Sequence, residues 1–131
     1  MNSLWVGQEG LIFRMTEDLR GQMRAVLTDA DLAYTPGGAN PTLGELCVDM
    51  GEVEHTYIES FKSLTHDLTY EVTQPDLAGS VEKLQDWFKE MDTELNALLE
   101  NMSDEDLDKT LVRSEGTWSI PVRMHANIYR E

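Results

Sequence analysis

His125 is the residue of this sequence best placed to do chemistry. It lies in the run Trp118-Ser119-Ile120-Pro121-Val122-Arg123-Met124-His125-Ala126-Asn127-Ile128-Tyr129-Arg130-Glu131. Pro121 suits the first turn of a helix, where its missing N–H is not needed, so a helix is expected to start there. At about 100° per residue, Trp118, Pro121, Val122, His125, Ile128 and Tyr129 share one face. A histidine amid an apolar face has two readings. It is a core histidine hydrogen-bonded to a neighbour such as Glu54, or it is a metal ligand or general base.

Glu54 sits on a second helix, about 40° from Met50 on the helical wheel and inside that helix's apolar arc. A carboxylate there needs a cation or hydrogen-bond donors, because an isolated buried charge is costly. Asp49 lies about 100° from Met50, on the border of the arc, and His55 about 140° away, facing out. His66, at the end of the same helix, reads as a second surface histidine. There is no Gly-rich phosphate loop, no paired cysteines and no His-Glu-x-x-His, and nothing marks one serine for a triad. Cys47 is the only cysteine, on an apolar stripe, and reads as a buried inert thiol. Met15, Met23, Met50, Met91 and Met102 fall on helical stripes and read as core.

Three amphipathic helices must position these residues. The first is expected from about Gly7 to Asp31, on Leu11, Ile12, Met15, Leu19, Met23, Val26 and Ala30. Turn formers from Tyr34 to Pro41 end it. The second starts at Thr42, which has capping-box spacing to Glu45, and fades by Asp67. Its expected stripe is Leu43, Leu46, Cys47, Met50, Val53, Tyr57, Ile58, Phe61 and Leu64. Leu68 to Thr73 reads as an extended connection without a partner strand. Ser80 caps the third helix, whose stripe is Val81, Leu84, Phe88, Met91, Leu95, Leu98 and Met102. A short turn follows at Ser103 to Asp106, and Arg113 to Thr117 reads as a loop into the fourth helix. The expected class is therefore all-α, an up-and-down four-helix bundle in one domain over residues 1–131. The fourth helix is incomplete, roughly 16 Å against roughly 35 Å for the second and third. A native chain continuing past Glu131 is the favoured explanation.

The formal net charge is −15. That field repels phosphate backbones and anionic lipid, so nucleic acid and membrane surfaces are excluded as partners. A lone cysteine permits no intrachain disulfide, and no segment reads as a membrane span or signal peptide. The chain is expected to be cytoplasmic.

Two stretches resemble one family. Thr42-Leu43-Gly44-Glu45-Leu46-Cys47-Val48-Asp49-Met50-Gly51-Glu52-Val53-Glu54 is similar to the second-helix segment of the DinB/YfiT-like superfamily. The run from Trp118 to Arg130 is similar to the start of its fourth helix. The resemblance implies a four-helix bundle, often a homodimer, with nickel or zinc held by one histidine of helix 2 and a His/Glu-x-x-x-His pair of helix 4. Relatives include thiol-dependent isomerases and thiol transferases. Carried over, the helix 2 histidine is Asp49, the first helix 4 ligand is His125, and the second is Tyr129. Aspartate can bind zinc, but tyrosine is a poor ligand at neutral pH. Asp49, His125 and Glu54 would make at most a weak site. The expectation is a metal-free binding or scaffold protein that takes a small-molecule or thiol ligand. The alternative is a divalent-metal enzyme of the thiol-transferase or hydrolase type.

Overall fold

The computed structural model describes residues 2–6, 8–113 and 116–130; side chains are left aside at Val6, Gln8–Gly10, Phe13, Met23 and Arg130. The chain is mostly helical. Its helices are α1 (Ser3–Val6), α2 (Gln8–Val26), α3 (Asp29–Leu32), α4 (Leu43–Ser63), α5 (Val81–Asn101), α6 (Asp104–Leu107) and α7 (Val122–Arg130), with a 3₁₀ turn at Leu77–Gly79. No helix of the described residues is long and apolar enough to cross a membrane.

The caps fall where the sequence places them. Thr42 and Glu45 form a capping box at the start of α4, with Glu45 N donating to Thr42 Oγ1 over 3.1 Å and Thr42 N to Glu45 Oε2 over 2.7 Å. Ser80 accepts from Lys83 N at the start of α5, and Ser103 opens α6 with its own box. The expected first helix is divided: α2 stops at Val26, and Thr28 caps the separate turn α3 with Asp31. At α4's other end Leu64 adopts φ 59°, so the helix stops at Ser63.

An all-α chain was expected, and here the structure differs. Two strands, β1 (Thr110–Arg113) and β2 (Trp118–Pro121), pair antiparallel with Leu111 opposite Ile120 and Arg113 opposite Trp118. Trp118 to Pro121 is thus strand rather than loop or helix start, and α7 begins directly at Val122. Ser114 and Glu115, in the expected loop, lie outside the described residues. The stretch after α4 joins this hairpin, as His66 N donates to Val112 O (2.8 Å) and Val112 N to Leu64 O (2.9 Å).

The core gathers on α5, where Leu84, Phe88, Met91, Leu95 and Leu99 are buried against Ile58, Phe61, Leu107 and Leu111. Leu99 rather than Leu98 is the fully buried position near the end of α5. The buried face of α4 also differs from its apolar stripe. Leu46, Met50 and Val53 are exposed, while Gly44, Cys47, Gly51, Glu54, Tyr57, Ile58 and Phe61 turn inward. The glycines permit close approach: a Cβ on Gly44 would lie 1.8 Å from Ala78 O, and one on Gly51 2.2 Å from Trp87 Cζ3. On α2, Leu11, Met15, Leu19 and Val26 are exposed. Of the expected core methionines Met15 and Met50 are exposed, Met91 is buried and Met102 is half-buried. α1 docks through buried Leu4 and Trp5, and Asn2 Nδ2 donates to the Leu99 and Met102 carbonyls at the end of α5.

Candidate functional site

Glu54 lies at the centre of the buried face of α4, with Cys47, Gly51, Ile58 and Phe61 within about 60° of it on the wheel. It is 1% exposed. The cation it requires comes from α2: Arg20 Nη1 donates to Glu54 Oε2 over 3.2 Å. The same guanidinium donates through Nη2 to Asp92 Oδ1 on α5 (2.8 Å) and through Nη1 to Tyr129 Oη on α7 (3.5 Å). Four helices therefore meet on one arginine. Arg24, one turn further along α2, lies over the Phe88 ring at 4.3 Å and 3.8 Å from Asp92 Oδ2.

Burial sets the electrostatics of this centre. It pushes the Glu54 carboxyl up to about 8, with Asp92 adding to the shift and Arg20 opposing it. Burial also works against the charge on Arg20, but Tyr129, Glu54 and Asp92 outweigh it and hold that pKa above its ordinary value. The Tyr129 phenol is raised by burial and by Glu54, so it stays protonated. Glu17, one turn before Arg20, accepts from Asn96 Nδ2 at 2.8 Å through Oε2, while its buried Oε1 has no partner.

Above this centre is an open groove of ≈ 590 Å³. Leu46, Met50, Val53 and Ile128 give it apolar walls, Tyr57 and Tyr129 an aromatic one, and Thr16, Glu17, Arg20 and Asp49 its polar groups. The exposed residues of the expected α4 stripe are thus the wall of the groove.

His125 does not line the groove. It is 0% exposed, its ring stacked on Tyr57 (centroids 4.5 Å) with the edges of Phe61 (5.3 Å) and His66 (4.9 Å) against it. Its Nε2 lies 2.8 Å from Ser60 Oγ, and Ser60 donates its own proton to Tyr57 O at 2.6 Å. Ser60 can then only accept from the ring, which assigns the proton to Nε2 and leaves Nδ1 as a buried, unpartnered acceptor. The expected partner, Glu54, is engaged by Arg20 instead. Burial, His66 and Arg113 push His125 down to about 3, so the ring is neutral. His66, read from the sequence as a surface residue, is buried, because pairing with β1 draws it in; burial lowers its pKa too. His55 is partly exposed and stacks on Tyr70 at 3.7 Å.

The three positions carried over as metal ligands, Asp49, His125 and Tyr129, and the further candidate Glu54 stand in different surroundings. Asp49 is exposed on the groove wall, His125 is sealed beneath Tyr57, and Glu54 and Tyr129 face a guanidinium. Among the described residues no three His, Cys, Asp or Glu side chains gather where they could hold a metal ion. In this arrangement the donor set does not fit a divalent ion.

The chain is thus mostly helical, with a polar centre on which four helices meet and an open groove beside it. The sequence profile of the DinB family matches residues 12–125, and the chain belongs to that family. Its fold is similar to the crystal structure of YjoA, a DinB-like protein of Bacillus subtilis, with a TM-score of 0.68 and 16% identity. That match covers 90% of this chain and 76% of the other. A search of the curated proteins gave no match.

Proposed function

We propose that this DinB-family chain is a metal-independent binding protein. The long helices α2, α4 and α5 with the short α7 are read as the expected up-and-down bundle, and the groove as the site of a small apolar ligand. One observation carries this reading: the guanidinium of Arg20 occupies the polar centre and uses Glu54 and Tyr129, two of the positions on which a metal reading depends. Arg20 already donates to both Glu54 and Tyr129, so these two side chains are engaged within the protein. The Nε2 proton of His125 is committed to Ser60, and the ring is sealed from the groove, so a role as general base lacks contact with any substrate.

The test is metal content. Protein loaded with nickel or zinc and then dialysed should retain no stoichiometric metal, and His125→Ala should change stability rather than metal content. Stoichiometric metal would refute this reading, and its loss with His125→Ala would place the metal at that residue. The expected homodimer is supported by the exposed stripe Leu11, Met15 and Leu19 on α2; sedimentation equilibrium with Leu19→Lys tests it, a dimer in wild type and a monomer in the variant being expected.

A further inference from the structure

Accepting the groove as a ligand site, we infer that its ligand class is an apolar organic cation, such as a hydrophobic amine or quaternary ammonium. The charges lining the groove are Glu17, Asp49 and Arg20. Arg20 is largely engaged, since its two terminal nitrogens donate to Glu54, Asp92 and Tyr129 and only its buried Nε is without a partner. The two carboxylates are in the opposite condition. Asp49, exposed on the groove wall, has no cation paired with it among the described residues, and Glu17, whose Oε2 accepts from Asn96, has a buried Oε1 without a partner beside the groove. An unsatisfied carboxylate oxygen against an apolar wall is a costly arrangement that a cation relieves.

Two further features select an organic cation over a hydrated metal ion. The walls are Leu46, Met50, Val53 and Ile128, which remove alkyl surface from water but offer nothing to an aqua ion. Tyr57 and Tyr129, with ring centroids 4.8 Å apart and tilted by 47°, give the groove an aromatic side. Ring faces and nearby carboxylates together recognise ammonium groups whose charge is spread over carbon. The acidic field of the whole chain, −15, draws the same ligands in.

Isothermal titration of the full chain with octyltrimethylammonium, octanol and octyl sulfate, each below its micellar concentration, separates the possibilities. The three share an alkyl chain and differ in charge. The cation is expected to bind one per chain and at least about tenfold more tightly than octanol, with no saturable binding of octyl sulfate. Asp49→Asn and Glu17→Gln should each weaken the cation by about three- to tenfold and leave octanol unchanged. The amide introduced by Glu17→Gln retains an acceptor for Asn96, and the wild-type comparison needs no variant. Equal binding of cation and octanol overturns the charge selectivity while leaving a ligand groove in place. Preference for octyl sulfate overturns it in favour of Arg20. If none binds, the groove fails as a ligand site altogether, a result distinct from the metal-content assay.

Discussion

Replacing Arg20 by methionine removes the cation from the polar centre while keeping much of the side chain's volume, and its cost should depend on pH in a specific way. Near pH 6 Glu54, with its pKa pushed up to about 8, is protonated. The variant then loses mainly the 2.8 Å charge-assisted bond to Asp92, which keeps Arg24 at 3.8 Å; such a bond contributes about 2 kcal/mol. Above pH 8 wild-type Glu54 ionises against Arg20, whereas the variant must hold its proton or strand a charge. Each further pH unit therefore adds up to about 1.4 kcal/mol, or about 3 kcal/mol in total near pH 9. For a domain of this size that is a fall in Tm of roughly 8 °C at pH 6 and roughly 12 °C at pH 9. Urea denaturation of wild type, Arg20→Met and Arg20→Met/Glu54→Gln at both pH values is the assay. The double variant should lose the pH-dependent part. A cost for Arg20→Met that is equal at pH 6 and pH 9 would refute the coupling.

The histidines give stability the opposite pH dependence. His125 and His66 are held neutral in the fold, so the unfolded chain binds more protons below pH 6.5. Their contribution is complete above the unfolded pKa and is lost as pH falls, and His125→Gln should flatten the acid limb of a urea-midpoint profile. Glu54 contributes stability that is complete below pH 4.5 and lost as pH rises through about 8, so Glu54→Gln should flatten the alkaline limb instead. His125→Ala, which opens a cavity among Tyr57, Phe61 and His66 and leaves Ser60 without its partner, should cost about 3 kcal/mol in chemical denaturation. Gly44→Ala should cost about 3 kcal/mol, because its Cβ meets the backbone at Ala78 O. Gly51→Ala should cost about half as much and be rescued by Trp87→Leu, since there the obstacle is a side chain.

Helix starts were legible because capping is local: Thr42 with Glu45 and Ser103 with Asp106 act within four residues. The inward position of Glu54 was legible too, from the wheel, as was its need for a cation or hydrogen-bond donors. Which cation it would find was not, because that depends on how α2 and α4 pack, and Arg20 and Arg24 look alike in sequence. The faces of Leu46, Met50, Val53, Leu11, Met15 and Leu19 were misread for one reason. Periodicity reports that a face is apolar and says nothing of whether another element covers it. Gly44 and Gly51, seven apart on one helix face, carried an unused signal, since glycine in a helix costs about 1 kcal/mol and needs a packing reason. His66 was misplaced because pairing with Val112 buries it, a contact 46 residues distant that no helical period encodes. The four-residue strands were too short to show alternation, although Leu111 and Ile120 do face each other across the pair.

A positive centre of charge that is translated with the polypeptide differs in kind from one acquired afterwards. A divalent ion is drawn from a fluctuating pool, can be stripped by a chelator, and can be displaced by a neighbour higher in the Irving–Williams series. Arg20 is present at one copy per chain from synthesis and cannot be exchanged for a wrong ion. It also keeps its proton at any pH a cell reaches. Glu54, Asp92 and Tyr129 thereby keep the same hydrogen-bond donor under metal starvation and metal excess alike. The same fixity has a cost in chemistry, since a guanidinium has no open coordination position for water or thiolate. The charge at the centre of this chain is thus a fixed one rather than an exchangeable one.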